Sequence, residues 1–114
     1  MTYLASAVRK TTVVHVRDGC DVYIGRAMPG RTASAFANEA RIGRDGTRAQ
    51  VIRLYKEHIL SRLANEPQLR AELEALRGKR IGCWCKPDDC HGDVLVWLLG
   101  EGPEPGVESQ LSLI

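Results

Sequence analysis

Helical spacing runs from Thr47 to Gly78 and stands between the β-type runs of this chain, which constrains the fold more than any other feature. Thr47 and Gln50 match a capping box, and Val51, Leu54, Tyr55, Ile59 and Leu63 follow at the period of one helical face. The pattern predicts an amphipathic helix over 48–64. Asn65-Glu66-Pro67 closes it and opens a second helix, because proline is tolerated in a first turn. Leu69, Leu73 and Leu76 stripe that second helix, and Gly78 suits its C′ position. Lys79 to Cys85 then reads as a strand. Helices before it allow it to join an earlier strand in parallel.

Upstream, TTVVHV (11–16) is rich in β-branched residues and predicts a strand. DGCD (18–21) supplies a turn and VYIGR (22–26) a second strand, so the two are expected to pair as a hairpin. Residues 28–46 form a long Gly-rich polar loop, a length that in a small domain serves function or hides a short helix. VLVWLLG (94–100) predicts a short helix, apolar all round and therefore buried or in an interface. The order β-β-loop-α-α-β-α implies an α/β or α+β fold with the 81–85 strand central. A chain of 114 residues is one domain by size. We place it at 11–100, between an N-terminal extension (1–10) and a flexible tail (101–114) that is acidic with an apolar end.

Charge narrows the partners. The net charge is only +2, and aromatics make up 5% of the chain. Basic residues do outnumber acids between Arg26 and Arg62, which gives a locally basic face rather than a nucleic-acid-wrapping protein. The N-terminus has no apolar h-region and no run is long enough to span a bilayer, so a cytoplasmic, membrane-free protein with reduced cysteines is expected.

The chemistry concentrates in GCWCKPDDCHGD (82–93), which holds three of the four cysteines. Strand alternation puts Cys83 and Cys85 on one face and turns Trp84 to the other, into the core. Cys90 and His91 precede a helix that opens with Gly92 and Asp93. A loop from a strand's carboxyl end to a helix start is a usual ligand corner in α/β sheets. Exposed N–H groups there favour anions and lower a thiol pKa, which singles out Cys90.

Three chemistries compete for this corner. Cys83, Cys85, Cys90 and His91 make a Cys₃His zinc set, although C-x-C and an adjacent Cys-His are hard to close into one tetrahedron. A second reading makes Cys90 a nucleophile, with His91 or a distant His15 or His58 as its base. The third reading is an anion pocket for a nucleotide or sugar phosphate. Arg26, Asn38 and Arg48 would complete it, joined by Cys83, Cys85, Gly92 and Asp93. Arg48 sits in a first helical turn, where the dipole disfavours a cation, so an anion or an acid such as Asp45 should lie near it. Single free cysteines are often only small buried hydrophobes.

The segments VVHVRDGCDVYIGR (13–26), SAFANEARIGRDGTRAQVIRLY (34–55) and LRGKRIGCWCKPDDCHGDVL (76–95) resemble the phage and bacterial family called domain of unknown function 4326. The last segment is the most specific, sharing the cysteines, the proline, Cys-His-Gly-Asp and the apolar helix after it. The family usually has Asn-Pro where this chain has Asn38-Glu39. The resemblance implies that Arg26, 34–48 and 82–93 belong to one arrangement. A ligand-binding domain is the leading expectation. The alternative is a zinc-stabilised module that acts on a host or phage protein.

Overall fold

A computed structural model describes residues 9–105; the expected N-terminal extension (up to residue 8) and most of the expected tail (106–114) lie outside them. The architecture is α/β. Strand β1 (Thr12–His15) leads through a 3₁₀ turn (Val16–Asp18) to β2 (Val22–Tyr23), and the long loop follows. Helices α1 (Arg48–Asn65) and α2 (Pro67–Glu74), strand β3 (Arg80–Cys83) and helix α3 (Gly92–Leu98) complete the unit.

The three strands lie in the order β1-β3-β2, and both outer strands run parallel to β3. β3 is central, as its position after the helices predicted. The expected β1–β2 hairpin is not formed, because β3 is inserted between its two arms. The physical reason lies in the connection. The 3₁₀ turn, capped by His15 Nδ1 accepting from the Arg17 N–H at 2.9 Å, carries the chain across one face of β3. It crosses at Gly82, where an added Cβ would lie 2.5 Å from Cys20 Sγ and 3.2 Å from Val16 Cγ1. A side chain at 82 would block that crossing.

α1 begins as the sequence predicts. Thr47 Oγ1 accepts from the Gln50 N–H at 3.2 Å, and Gln50 Oε1 accepts from the Thr47 N–H at 2.8 Å. Its buried face is Val51, Ile52, Tyr55 and Ile59, whereas Leu54 is 45% exposed and falls off that stripe. α2 ends at Glu74, earlier than the Gly78 cap suggests, and a turn carries the chain to Gly78, whose N–H donates to Thr11 Oγ1 at 2.8 Å. Ile24, Ile59, Ile81, Val94 and Leu95 are the fully buried aliphatics between helices and sheet.

The 28–46 segment contains no helix. It is held by its backbone instead: Tyr55 OH donates to the Phe36 carbonyl at 2.7 Å, and Arg62 Nη1 to the Ala35 carbonyl at 2.8 Å. Phe36 itself is buried in the core. At the far end, Glu101 accepts from the Thr11 N–H at 2.6 Å and from Arg77 Nη1 at 2.8 Å. Glu104 pairs with Lys56 at 2.7 Å. Residues 101–105, which the sequence assigns to the tail, are therefore tied back onto the domain. No helix among the described residues is long and apolar enough to cross a membrane.

Candidate functional site

Two loops and one helix start converge beyond the carboxyl end of β3. Cys83 ends that strand and is buried, Cys85 follows half-buried, and Cys90 returns from the loop to bury its thiol 2.8 Å from Cys83 Sγ. The Gly92 N–H at the start of α3 donates to Cys90 Sγ at 3.2 Å. Asp93 holds the corner together. It accepts from the Cys90 N–H at 3.0 Å and from Lys86 Nζ at 2.9 Å.

Between this corner and the long loop lies a cleft of about 550 Å³. Arg26, Asn38, Arg48, Cys83, Cys85, Cys90 and His91 all line it. Two residues expected beside them do not. Gly92 is buried under the sheet, where a Cβ would meet Val13 Cγ1 at 2.8 Å and Ile24 Cδ1 at 3.0 Å, so its role is close helix–strand packing. Asp93 spends its carboxylate on the loop ties above.

The arginines stitch the walls. Arg26 Nη1 donates to the Asn38 carbonyl at 2.6 Å, so Asn38 contributes backbone to this contact. Arg48 Nη1 donates to the Asp89 carbonyl at 2.9 Å, and its Nη2 lies 3.5 Å from the Asp88 carboxylate. The acid expected beside Arg48 is thus Asp88 and not Asp45, which binds Arg44 and the Arg41 N–H. A guanidinium has five N–H donors, and these contacts leave donors on both arginines unused.

Trp84 corrects the reading from strand alternation. β3 ends at Cys83, so the alternation stops before it and the indole lies 44% exposed on the cleft wall. Its Nε1–H donates to Tyr23 OH at 2.8 Å, and Tyr23 OH donates to the Arg26 carbonyl at 2.6 Å. That relay ties the cysteine corner to the start of the long loop. Met28 and Ile42, 44% and 49% exposed, line the same cleft. Sequence reasoning passed over both, yet large apolar residues isolated in a polar loop were the available signal.

The thiol electrostatics differ from the sequence expectation. Cys85, not Cys90, is the thiol held well below its ordinary range, by hydrogen bonds from the Cys83 and Cys90 thiols and then by Arg48. Cys90 is pushed up by those same two neighbours and by burial. Cys83 is likewise raised, first by its interaction with Cys85. The shifts thus favour the thiolate form at the least buried of the three sulfurs.

A buried contact fixes the tautomer of His91. Its ring is buried and its Nε2 lies 2.8 Å from the Ile24 carbonyl, which can only accept, so Nε2 carries the proton. Burial lowers its pKa from 6.5 and keeps it neutral. The unfolded chain gains a proton at His91 as the pH falls below 6.5 and the folded chain does not, so stability is full above that pH and declines below it. The slope is at most about 1.4 kcal/mol per pH unit. Denaturant unfolding from pH 7 to about 5 is expected to show this decline, and His91→Gln is expected to flatten it.

Nor do the four zinc candidates form one ligand set. Tetrahedral Zn–S bonds of about 2.3 Å place sulfurs roughly 3.8 Å apart. The Cys83 and Cys90 sulfurs are closer than that, at 2.8 Å. Among the described residues no three His, Cys, Asp or Glu side chains are arranged to share an ion.

Comparison with known proteins places these features in a wider group. The family model described as Domain of unknown function (DUF4326) matches residues 7–101. A curated relative, an uncharacterized 12.4 kDa protein in the nrdA-td intergenic region of Enterobacteria phage T4, is 41% identical over 59 residues. That alignment covers 51% of this chain and 55% of the relative, so the chain spans about half of the relative's length. No solved structure matches the chain.

Proposed function

We propose that in this chain, which belongs to the DUF4326 family whose model runs across the whole sheet and all three helices, the cleft at the end of β3 binds a small anionic ligand with an apolar body, a nucleotide first and a sugar phosphate second. One observation carries this reading. Of the five large hydrophobic residues exposed among the described ones, Met28, Ile42 and Trp84 all line this cleft, which also contains Arg26 and Arg48. Apolar side chains grouped around a concavity favour a flat apolar moiety, and free guanidinium donors favour phosphate. The volume, about 550 Å³, is ordinary for a small-ligand site. The location outside the carboxyl end of a central parallel strand is the usual one in open α/β sheets.

The test is a thermal-shift screen on reduced protein with nucleoside mono- and diphosphates, sugar phosphates, unphosphorylated nucleosides and inorganic phosphate. Nucleotides are expected to raise Tm with saturation, as any ligand of the native state must. Nucleosides and inorganic phosphate, each supplying half of the recognised chemistry, are expected to act more weakly. Silence across the panel would sink the reading.

A further inference from the structure

Three thiols that line one cleft, two of them in contact, are more than a binding cleft needs. Cys83 and Cys90 are buried with their sulfurs 2.8 Å apart, while Cys85, two residues after Cys83, is half-buried and lines the same cleft. The fourth cysteine is separate, since Cys20 packs over Gly82 on the opposite face of β3 from Cys83. A thiol cluster with one accessible member beside a cation and two buried neighbours has the layout of an entry thiol with a resolving thiol behind it.

We propose that this cluster is a thiol–disulfide exchange site, with Cys85 as the entry thiol for a small organic disulfide and Cys90 as the thiol that resolves the adduct. In the first step the Cys85 thiolate attacks one sulfur of the reagent. The reagent's S–S bond breaks, a Cys85–S–S–R bond forms and one thiolate leaves. In the second step the Cys90 thiol gives its proton to solvent and attacks Cys85 Sγ. The mixed disulfide breaks, a Cys85–Cys90 bond forms and the second thiolate leaves to take up a proton. Two electrons pass from the protein thiols to the reagent, which departs as two thiols. Cys83 is the poorer resolver, because the short Cys-x-Cys ring closes badly at ordinary disulfide geometry. The lowered Cys85 pKa supports its role as the attacking sulfur. The inference does not depend on what else the cleft binds.

The experiment uses the full chain with Cys20→Ser and oxidised glutathione as the probe, read by intact mass, free-thiol count and peptide mapping. This protein is expected to lose two thiols without keeping an adduct, and the mapped bridge is expected to include Cys90. Cys85→Ser and Cys85→Ala, at a half-buried position, are expected to react at least about 10-fold more slowly, since only the ionised thiol attacks. Cys90→Ser is expected to stop at one stable adduct on Cys85. Persistent adduct on the Cys20→Ser protein, an intramolecular bridge in Cys90→Ser, or undiminished reaction in the Cys85 variants would overturn the proposal. Thermal melts check each variant, and the Cys85 pair decides if Cys90→Ser does not fold. Nucleotide binding by the reduced protein is a separate readout, so either proposal can fail alone.

Discussion

Gly82→Ala is expected to cost about 1–3 kcal/mol, the range for overfilling a packed interior. In a domain of this size that corresponds to a fall in Tm on the order of 10 °C. The new methyl would meet Cys20 Sγ at 2.5 Å, Cys20 Cβ at 2.7 Å and Val16 Cγ1 at 3.2 Å. None of these is the loose end of a long side chain, and Val16 is itself buried. The cost is steric, because Gly82 is not among the residues with positive φ. A paired substitution separates this cause from general strand weakening. Cys20→Gly removes both of the closest atoms, so the double variant is expected to recover part of the loss. Equal losses in the single and double variants would show that the crossing at Gly82 is not where the strain arises.

Arg48→Ala is expected to weaken nucleotide binding by about 10- to 100-fold, the value of one or two charge-assisted hydrogen bonds to phosphate. Stability should change much less, because Arg48 is only half-buried and its ion pair with the exposed Asp88, at 3.5 Å, is a surface contact. Arg53→Ala is the matched control. It removes the same charge from the same helix but lies outside the cleft, so its binding should stay near that of the parent protein. Calorimetric titration of the three proteins with one nucleotide makes the comparison. Similar losses from both substitutions would point to long-range charge and not to a contact.

What the sequence revealed depended on whether the signal was local. The capping box at Thr47 and Gln50, the stripe of Val51, Tyr55 and Ile59, and the apolar run before Gly100 are patterns within one or two turns, and each appears as an element or its boundary. The central parallel β3 followed from helices standing before it. The β1–β2 hairpin failed because a turn signal at DGCD states that the chain bends, not what passes between the arms. Contacts between residues far apart in the chain, such as the pairing of both strands with β3 and the close approach of Cys20 to Gly82, carry that information. Trp84 was misplaced because alternation was continued one residue past the end of a strand.

The site was legible as a location more than as chemistry. Arg26, Arg48 and the cysteine corner line one cleft. The division of labour among the thiols was not visible, since a helix start beside Cys90 suggests ionisation there whereas its interactions with Cys83 and Cys85, and then burial, favour the neutral thiol. Charge is favoured at Cys85 by the Cys83 and Cys90 thiols first and by Arg48 after them. Gly92 and Asp93 were read as ligand groups because glycine and aspartate at a helix start suit both anion binding and simple packing. Val13 and Ile24 against Gly92, and Lys86 against Asp93, favour packing and loop fixation.

The central claim is that the cleft takes a phosphate and an apolar body together. Trp84 reports on it directly, because its indole is exposed on the cleft wall while Trp97 packs beside Lys56 on α1. The measurement is a fluorescence titration of reduced Trp97→Phe protein with a nucleoside, its monophosphate and inorganic phosphate. The account expects a saturable change in Trp84 emission with the nucleotide, at concentrations at least about 10-fold lower than for either half alone. No saturable response to the nucleotide, or equal affinity for nucleoside and nucleotide, would contradict it.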